Sequence, residues 1–161
     1  MDALIQAIRD SLAAITTPRF YETERGYQGE LYAELRKRLP IIEMEGAIIE
    51  QEYQKRMKDH GFRIRPDLII HVPFEGSGLG SRAEGNFVVI ELKHRASLKN
   101  AHVDFANLSA MCEALDYPLG VFINIASTDT HFANYEGPHR ERLLAFAVQL
   151  SGDGVVIHEQ K

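Results

Sequence analysis

Residues 87–94 read FVVIELKH, and residues 65–71, one loop earlier in the chain, read RPDLIIH. Both runs are rich in β-branched residues, so each predicts a strand. Side chains alternate faces along a strand, so Val89, Glu91 and Lys93 lie on one face. The apolar residues Val88, Ile90 and Leu92 lie on the opposite face. A carboxylate and an ammonium inside an apolar strand must be paired, hydrated in a cleft or metal-bound, because an isolated buried charge is very costly.

The residues before and between these strands predict further elements. Apolar residues recur at helical spacing from Met1 to about Thr16 and from about Thr23 to Leu39, so each stretch predicts a helix. Residues Ile41 to Tyr53 then predict one long or bent strand, and Lys55 to Arg65 predicts a polar turn. The glycine-rich segment Gly76 to Gly85 joins two strands, which indicates a hairpin loop rather than a nucleotide-binding fingerprint.

The remainder of the chain predicts a helix over Asn100 to Leu115, a buried strand over Leu119 to Ile125, a helix near Arg140 to Leu150 and an edge strand over Val155 to His158. The buried side of the first of these helices is expected to consist of Val103, Phe105, Leu108, Met111, Cys112 and Leu115. We expect a single α/β domain over residues 1–161, with a mixed four-stranded central sheet flanked by helices. Three strands form an antiparallel meander, and a crossover helix leads into the fourth.

Composition excludes several classes of protein. The 161 residues are 45% hydrophobic and 25% charged, with a formal net charge of -5, which argues against a polybasic protein that coats polyanions. The one cysteine, Cys112, allows no intrachain disulfide and no multi-cysteine zinc site. No apolar run is long enough for a membrane helix, and the first residues lack the pattern of a secretory signal, so we expect a cytoplasmic protein with no membrane partner.

Asp67 is the second acidic residue of interest, because it stands at the head of the strand adjacent to Glu91 and Lys93. A cross-strand salt bridge is one interpretation of this group. The other is a metal site, since two carboxylates that converge repel each other unless a cation neutralises them. Mg²⁺ suits such a site, because it uses one or two carboxylates and keeps several waters.

A third acidic residue is expected from the second helix, which must pack on the sheet. Glu24 falls between Leu31 and Leu35 on the helical wheel, so it is expected to point inward at the start of the helix. A glutamate at that position is also favourable to the helix dipole, which is the alternative reason for its presence. Glu30 and Glu34 are expected on the flank or in solvent.

These motifs and their order carry a family resemblance. Pro66-Asp67 followed by Glu91-x-Lys93, with a glutamate-bearing helix before them and a helix and buried strand after them, resembles the PD-(D/E)XK nuclease superfamily. The predicted order matches that superfamily's αβββαβ core over about residues 23–126. The chain is also similar to a group of small restriction-endonuclease-like proteins that share the ordered blocks Glu24-Arg25, Glu52-Tyr53-Gln54-Lys55-Arg56, RPDLIIH and VIELKH. The resemblance implies a restriction-endonuclease-like fold with an extra N-terminal helix and a C-terminal helix-strand extension.

The resemblance also implies roles for individual residues. Asp67 and Glu91 would bind Mg²⁺ or Mn²⁺, with the backbone carbonyl of Leu92 as a further ligand. Lys93 would orient or activate the attacking water, and Glu24 would assist metal or water binding. The implied reaction is endonucleolytic hydrolysis of phosphodiester bonds in DNA.

Basic residues near the two motifs are expected to contact the phosphate backbone, which supplies most sequence-independent affinity. The expected contacts are Arg63, Arg65, His94, Arg95 and Lys99. The chain lacks the interleaved aromatic residues of a single-strand platform, which favours duplex or branched DNA. Cutting both strands of a duplex needs two such sites, which is compatible with a homodimer.

The negative charge is unevenly distributed. Residues 1–103 hold 15 acidic and 15 basic side chains, whereas residues 104–161 hold 8 and 3, so the acidic excess is expected to lie beyond the active site. Two alternatives stay open. In one, the protein is a noncatalytic assembly module in which the central charges only form ion pairs and the acidic last third docks a partner protein. In the other, the same fold binds nucleic acid without cutting it.

Overall fold

A computed structural model describes residues 1–42, 44–52, 65–74, 78–81 and 83–161. Most of the predicted elements are present there, with adjusted ends. The helices are α1 (Asp2–Ala14), α2 (Glu24–Arg38) and α3 (Leu98–Leu115). The strands are β1 (Ile48–Gln51), β2 (Leu68–His71), β3 (Asn86–His94), β4 (Leu119–Ile125), β5 (Leu143–Ser151) and β6 (Gly154–Gln160).

Within these ranges the strands form one mixed sheet in the order β1-β2-β3-β4-β5-β6. The first three strands are an antiparallel meander, and β3, β4 and β5 are parallel to one another. Strand β6 returns antiparallel to β5. The predicted mixed sheet and its crossover helix are confirmed, but the sheet has six strands and not four.

Helices cover both faces of this sheet. Helices α1 and α2 pack on one face, where Ile90 and Leu92 of β3 are completely buried beneath Leu31 and Leu35 of α2. Helix α3 packs on the other face around Phe105, and this cluster includes side chains of β2, β3, β4 and β5. Each fully buried Leu, Ile or Phe contributes roughly 1.5–3 kcal/mol. Because both faces of the sheet are buried, its strands are held rigidly. The sheet can therefore fix the positions of charged groups at the ends of its inner strands.

The predicted helix near Arg140 to Leu150 is wrong. The chain there makes one 3₁₀ turn, Arg140–Arg142, and then enters β5. Strand β5 lies inside the sheet, and its residues from Leu143 to Val148 are all buried, so the sequence shows no alternation. An unbroken apolar run cannot be assigned to helix or strand from its periodicity alone.

The first predicted strand is also shorter than expected. Residues Leu39–Ile42 form a 3₁₀ helix, and β1 begins only at Ile48. Residues 53–64, which include the predicted polar turn and most of its basic side chains, lie outside the described residues, and the glycine-rich loop is described only in part.

Helix α3 differs from prediction at one position that bears on function. Val103 was expected on the buried side, yet 53% of it is exposed. The buried face instead runs through Ala101, Asp104, Phe105 and Leu108, and Asp104 is only 6% exposed. An acidic residue therefore occupies a core-facing position on the helix that packs over β3.

Within the described ranges, no helix is both long and apolar enough to cross a membrane.

Gly120 on β4 permits the close packing of α3 on the sheet. A Cβ atom at this position would lie 2.8 Å from Cδ2 of Leu143, 3.2 Å from Cβ of Leu108 and 3.3 Å from Sγ of Cys112.

We expect Gly120→Ala to lower the free energy of unfolding by about 1–3 kcal/mol in urea titrations, because it overpacks this interface. Gly29→Ala is the matched control, because a Cβ at this exposed position in α2 meets no atom within 4 Å. It should raise stability by about 0.5–1 kcal/mol. If the two substitutions changed the free energy of unfolding equally, the close packing of α3 over Gly120 would be contradicted.

Candidate active site

The pairing of β2 with β3 brings two carboxyl groups together. Leu68 pairs with Ile90, so Asp67, one residue earlier, stands opposite Glu91 on the neighbouring strand. Glu91 is 6% exposed, and Asp67 is partly buried. The two acidic residues that the sequence placed on consecutive strands are therefore direct cross-strand neighbours.

The backbone around Asp67 holds this residue firmly. Its Oδ2 atom accepts a hydrogen bond of 2.7 Å from the backbone N–H of Leu92. Its own carbonyl accepts from the side-chain amide of Gln28 and from the backbone N–H of Glu52, each at 2.9 Å. Gln28 was missed by the sequence interpretation, although it lies one helical turn after Glu24 on the same face. It links α2 directly to the head of β2.

Lys93 lies among the acidic groups. Its Nζ atom donates to the carbonyl of Leu92 at 3.1 Å and lies 3.7 Å from Oε1 of Glu24 and 3.9 Å from Oδ2 of Asp104. Helix α2 supplies Glu24 from one face of the sheet, and α3 supplies Asp104 from the other. The ammonium therefore stands at the end of β3 between carboxylates of two helices.

The predicted orientation of the acidic side chains of α2 is confirmed for Glu24, which faces the end of β3, and is wrong for Glu34. Glu24 Oε2 also accepts from the backbone N–H of His94 at 3.3 Å, which holds the start of the helix at the end of β3. Glu34 is buried rather than solvated, and it forms ion pairs with Lys37 and Arg38 on its own helix. Hydrogen bonds from Lys37 and then Arg38 lower the pKa of Glu34. Glu34 can therefore be buried without any contact with Lys93, because Lys37 and Arg38 neutralise its charge.

Asp104 is an acidic residue beside Lys93 that sequence reasoning missed. It belongs to the last third of the chain, whose acidic excess was expected to lie beyond the active site, and that expectation is wrong at this position. The available signal was its place in the stripe Ala101, Asp104, Phe105, Leu108, where a carboxylate interrupts an apolar face at helical spacing.

The electrostatics of the two facing carboxyl groups are unfavourable to charge. Burial, followed by the negative charges of Asp67 and Asp104, raises the pKa of Glu91 to about 9. Burial likewise raises the pKa of Asp67, although the hydrogen bond from Leu92 opposes that shift. Protonated Glu91 donates a hydrogen bond to Asp67, so the pair shares one proton near neutral pH.

Lys93 remains an ammonium in this setting. Burial alone would lower its pKa, but Asp104, Glu24, Asp67 and Glu91 together outweigh burial and raise it. A lysine whose charged form is stabilised in this way holds its proton at neutral pH, so it can donate hydrogen bonds and neutralise charge but does not act as a base.

The loops that follow β3 and β4 are tied together beside the site by Asn124, another residue that sequence reasoning did not single out. Asn124 pairs with Lys93 across the parallel strands and is completely buried. Its Oδ1 accepts from the N–H of Ala96, and its Nδ2 donates to the carbonyl of Asp129, both at 2.8 Å. An asparagine within the otherwise apolar run LGVFINI was the signal for it.

The expected phosphate contacts are distributed unevenly around the site. Arg65 is exposed but is bound to Glu52, both to its carboxylate and, at 2.8 Å, to its carbonyl. Arg63 lies outside the described residues. Arg65 must therefore exchange an existing ion pair for any contact with a phosphate.

The remaining three expected contacts lie at the end of β3 or after it. A ring nitrogen of half-buried His94 lies 3.0 Å from the carbonyl of Tyr21, so this ring supports the segment before α2. Arg95 and Lys99 are exposed, and Arg95 has a left-handed backbone with φ of 52°. Arg95 and Lys99 are thus the expected contacts that present their charge to solvent beside Lys93.

The residues present fit a divalent cation with hard-oxygen preference. Asp67 and Glu91 face each other with one proton where a cation would relieve their repulsion, and Oδ2 of Asp104 is buried without a hydrogen-bond partner. In the described part of the chain, no three acidic, histidine or cysteine side chains already form a metal-ligating group. Mg²⁺ does not require one, since it takes one or two carboxylates and keeps several waters.

No protein-family model, no curated protein and no solved structure matches this chain.

We expect the metal-free protein to lose stability as the pH rises from about 5 to about 9. Glu91 ordinarily titrates at 4.5 and keeps its proton in the fold to about 9, so the folded state binds more protons than the unfolded state across this window. Asp104, whose pKa is raised to about 6 mainly by burial, acts in the same direction at the lower end. The slope should approach about 1.4 kcal/mol per pH unit in urea titrations.

Glu91→Gln is the diagnostic variant for this pH dependence, because the amide can still donate to Asp67 but cannot titrate. It should flatten the decline above about pH 7, where Asp104 is mostly ionised in the fold. Asp67, Asp104 and Lys93 face Glu91 and remain in the variant, so a decline of unchanged slope would show that Glu91 is not the group responsible.

Proposed function

We propose that this protein is a divalent-metal-dependent nuclease of the PD-(D/E)XK superfamily that hydrolyses phosphodiester bonds in DNA. The observation that carries the proposal is the meeting of Asp67, Glu91 and Lys93 at one end of the paired strands β2 and β3. The order of the antiparallel meander, the crossover helix α3 and parallel β4 supports the proposal, because it resembles the αβββαβ order of that superfamily.

The charges of the site support a metal site over a closed ion-pair network. A structural network would set opposite charges at hydrogen-bond distance, which is about 2.7–3.2 Å for nitrogen and oxygen. Lys93 instead lies 3.7 Å and 3.9 Å from its carboxylate neighbours, and one ammonium faces four acidic residues. Satisfied carboxylates would also have lowered pKa values, whereas burial and mutual repulsion raise the pKa of Glu91 to about 9.

Asp67 and Glu91 would hold the ion, Mg²⁺ or Mn²⁺, with the Leu92 carbonyl as a further ligand. The bound ion supplies charge neutralisation at the scissile phosphate and lowers the pKa of a water molecule. The Leu92 carbonyl accepts from Lys93, and a carbonyl oxygen carries two lone pairs. Release of the proton shared by Asp67 and Glu91 would accompany binding, because the ligating carboxylates must be ionised.

Lys93 acts in this proposal as a fixed positive charge and hydrogen-bond donor. Its ammonium orients the attacking water and stabilises the negative charge that builds on the phosphate oxygens. Water attacks phosphorus and releases one proton to the solvent, the bond from phosphorus to the leaving oxygen breaks, and the leaving oxygen takes up a proton from the solvent. Glu24 holds Lys93 and the end of β3, so it supports the water-binding side of the site.

Exposed cationic side chains that are close to Lys93 in the sequence support a nucleic-acid substrate, which we propose is DNA. Arg95 lies just after the end of β3, and Lys99 lies in the first turn of α3. Contacts of this kind bind phosphates of any sequence. They would hold a strand across the end of β3 without base-specific recognition.

Metal binding is the first test. Saturating Mg²⁺ at about 100 times its dissociation constant should stabilise the wild type by about 2.7 kcal/mol in thermal or urea unfolding. Asp67→Asn should abolish that gain, because it removes a ligand charge. Asp10→Asn, at an exposed acidic position on α1, should keep it. If neither Mg²⁺ nor Mn²⁺ stabilises the wild type, the metal site and the proposed hydrolysis both fail.

Lys93→Ala tests the catalytic assignment separately from metal binding. We expect the variant to fold, to keep its stabilisation by Mg²⁺ and to lose about 10²–10³-fold in kcat on linear, supercoiled and branched DNA. Lys99→Ala is the matched control, and it should raise KM and weaken the salt dependence while leaving kcat unchanged. Full cleavage by Lys93→Ala would reject its role, and a wild type that binds metal and DNA without cutting would favour the noncatalytic alternative.

A further inference from the structure

Asp104 is a buried carboxylate that the hydrogen bonds of the fold do not explain. It lies on the core-facing side of α3 and is 6% exposed, yet its Oδ2 atom has no hydrogen-bond partner. Its nearest cation is the Lys93 ammonium at 3.9 Å, beyond hydrogen-bond distance. A buried charge of this kind is costly to keep, so a purely structural role is a poor explanation for it.

The surroundings of Asp104 make this cost larger. Asp67 and Glu24 add negative charge nearby, and burial is the main reason that the pKa of Asp104 rises to about 6. Buried Glu34 shows the contrast, because Lys37 and Arg38 pair with it directly and its pKa is lowered. Both residues are buried acids on helices, but the fold satisfies only Glu34.

Asp104 and Glu24 approach the Lys93 ammonium from opposite faces of the sheet, and this arrangement indicates a role for Asp104. An ammonium has three donors, and Lys93 uses one on the Leu92 carbonyl. Glu24 and Asp104 then attract it from helices on opposite faces of the sheet, at the similar distances of 3.7 Å and 3.9 Å. Because neither carboxylate bonds the ammonium directly, its two other donors stay available while the opposed attractions restrict where it can move.

We propose that Asp104 is a positioning residue for Lys93: with Glu24 it centres the ammonium at the end of β3, and the chain keeps it at a cost in stability. This inference rests on the proposed function, in which Lys93 acts on the attacking water and the phosphate. The consequence is specific. Removing the charge of Asp104 leaves Glu24 to draw the ammonium toward α2, away from the Asp67–Glu91 pair.

The test compares Asp104→Asn with Glu34→Gln, two changes of a buried carboxylate to its amide. In the metal-free protein at about pH 8, where Asp104 is ionised, Asp104→Asn should raise the unfolding temperature, because it removes an unsatisfied charge. Glu34→Gln should lower the unfolding temperature, because it breaks two ion pairs. On DNA with Mg²⁺, Asp104→Asn should lower kcat at least tenfold with KM unchanged, Asp104→Glu should recover part of that loss, and Glu34→Gln should leave kcat unchanged.

A second readout needs no activity. The ¹³Cε relaxation of Lys93 in the metal-free protein should show a restricted side chain that becomes more mobile in Asp104→Asn and is unchanged in Glu34→Gln. If Asp104→Asn destabilises the protein and leaves the mobility of Lys93 unchanged, Asp104 is structural and the inference is overturned. If the wild type cuts no DNA but Lys93 loses order as expected, positioning stands and the proposed hydrolysis is what fails.

Discussion

The register between β2 and β3 is the constraint on which the rest of the site depends. Pairing Leu68 with Ile90 sets Asp67 opposite Glu91 and lets the Asp67 carboxylate accept from the N–H of Leu92. A slip of one residue would turn β3 over and send Glu91 and Lys93 into the apolar layer beneath α1 and α2. The core of that layer therefore enforces the register, because Ile90 and Leu92 must stay buried there.

Both helical layers meet the sheet at the same end of β3, and each delivers one carboxylate to Lys93. Helix α2 is fastened there by Gln28 on the Asp67 carbonyl and by Glu24 on the N–H of His94. Helix α3 approaches closely over Gly120 and carries Asp104 inward. The acidic groups are thus held by well-packed elements, which lets the fold keep them together although their mutual repulsion raises the pKa of Glu91 to about 9.

The sequence was informative where charge interrupts a recognisable pattern. Glu91 and Lys93 stand out in an apolar strand, and Asp67 follows Pro66 at the head of the neighbouring strand β2. The helical wheel predicts the inward position of Glu24 at the start of α2. The sequence alone does not identify Asp104, because the predicted buried face of α3 includes its neighbour Val103. The apolar residues of this helix form an acceptable buried face whichever of the two residues is included. Only the packing of α3 on β3 distinguishes the two.

Elsewhere the pattern itself was insufficient. Strand β5 is buried on both faces, so its apolar run has no period and was interpreted as a helix. Glu34 lies off the centre of the apolar stripe of α2 and is buried all the same, because Lys37 and Arg38 cover its carboxylate. Periodicity records the average environment of a face, whereas these residues depend on specific partners.

A crystal of the wild type soaked in Mn²⁺ is a direct test of the proposed metal site, because the anomalous signal locates the ion without reference to activity. We expect one strong anomalous peak at the carboxylates of Asp67 and Glu91, close to the Leu92 carbonyl. The Lys93 ammonium should stay between Glu24 and Asp104. An empty site at saturating Mn²⁺, with Lys93 moved into direct contact with Asp67 or Glu91, would contradict the proposed metal site and leave only an ion-pair network.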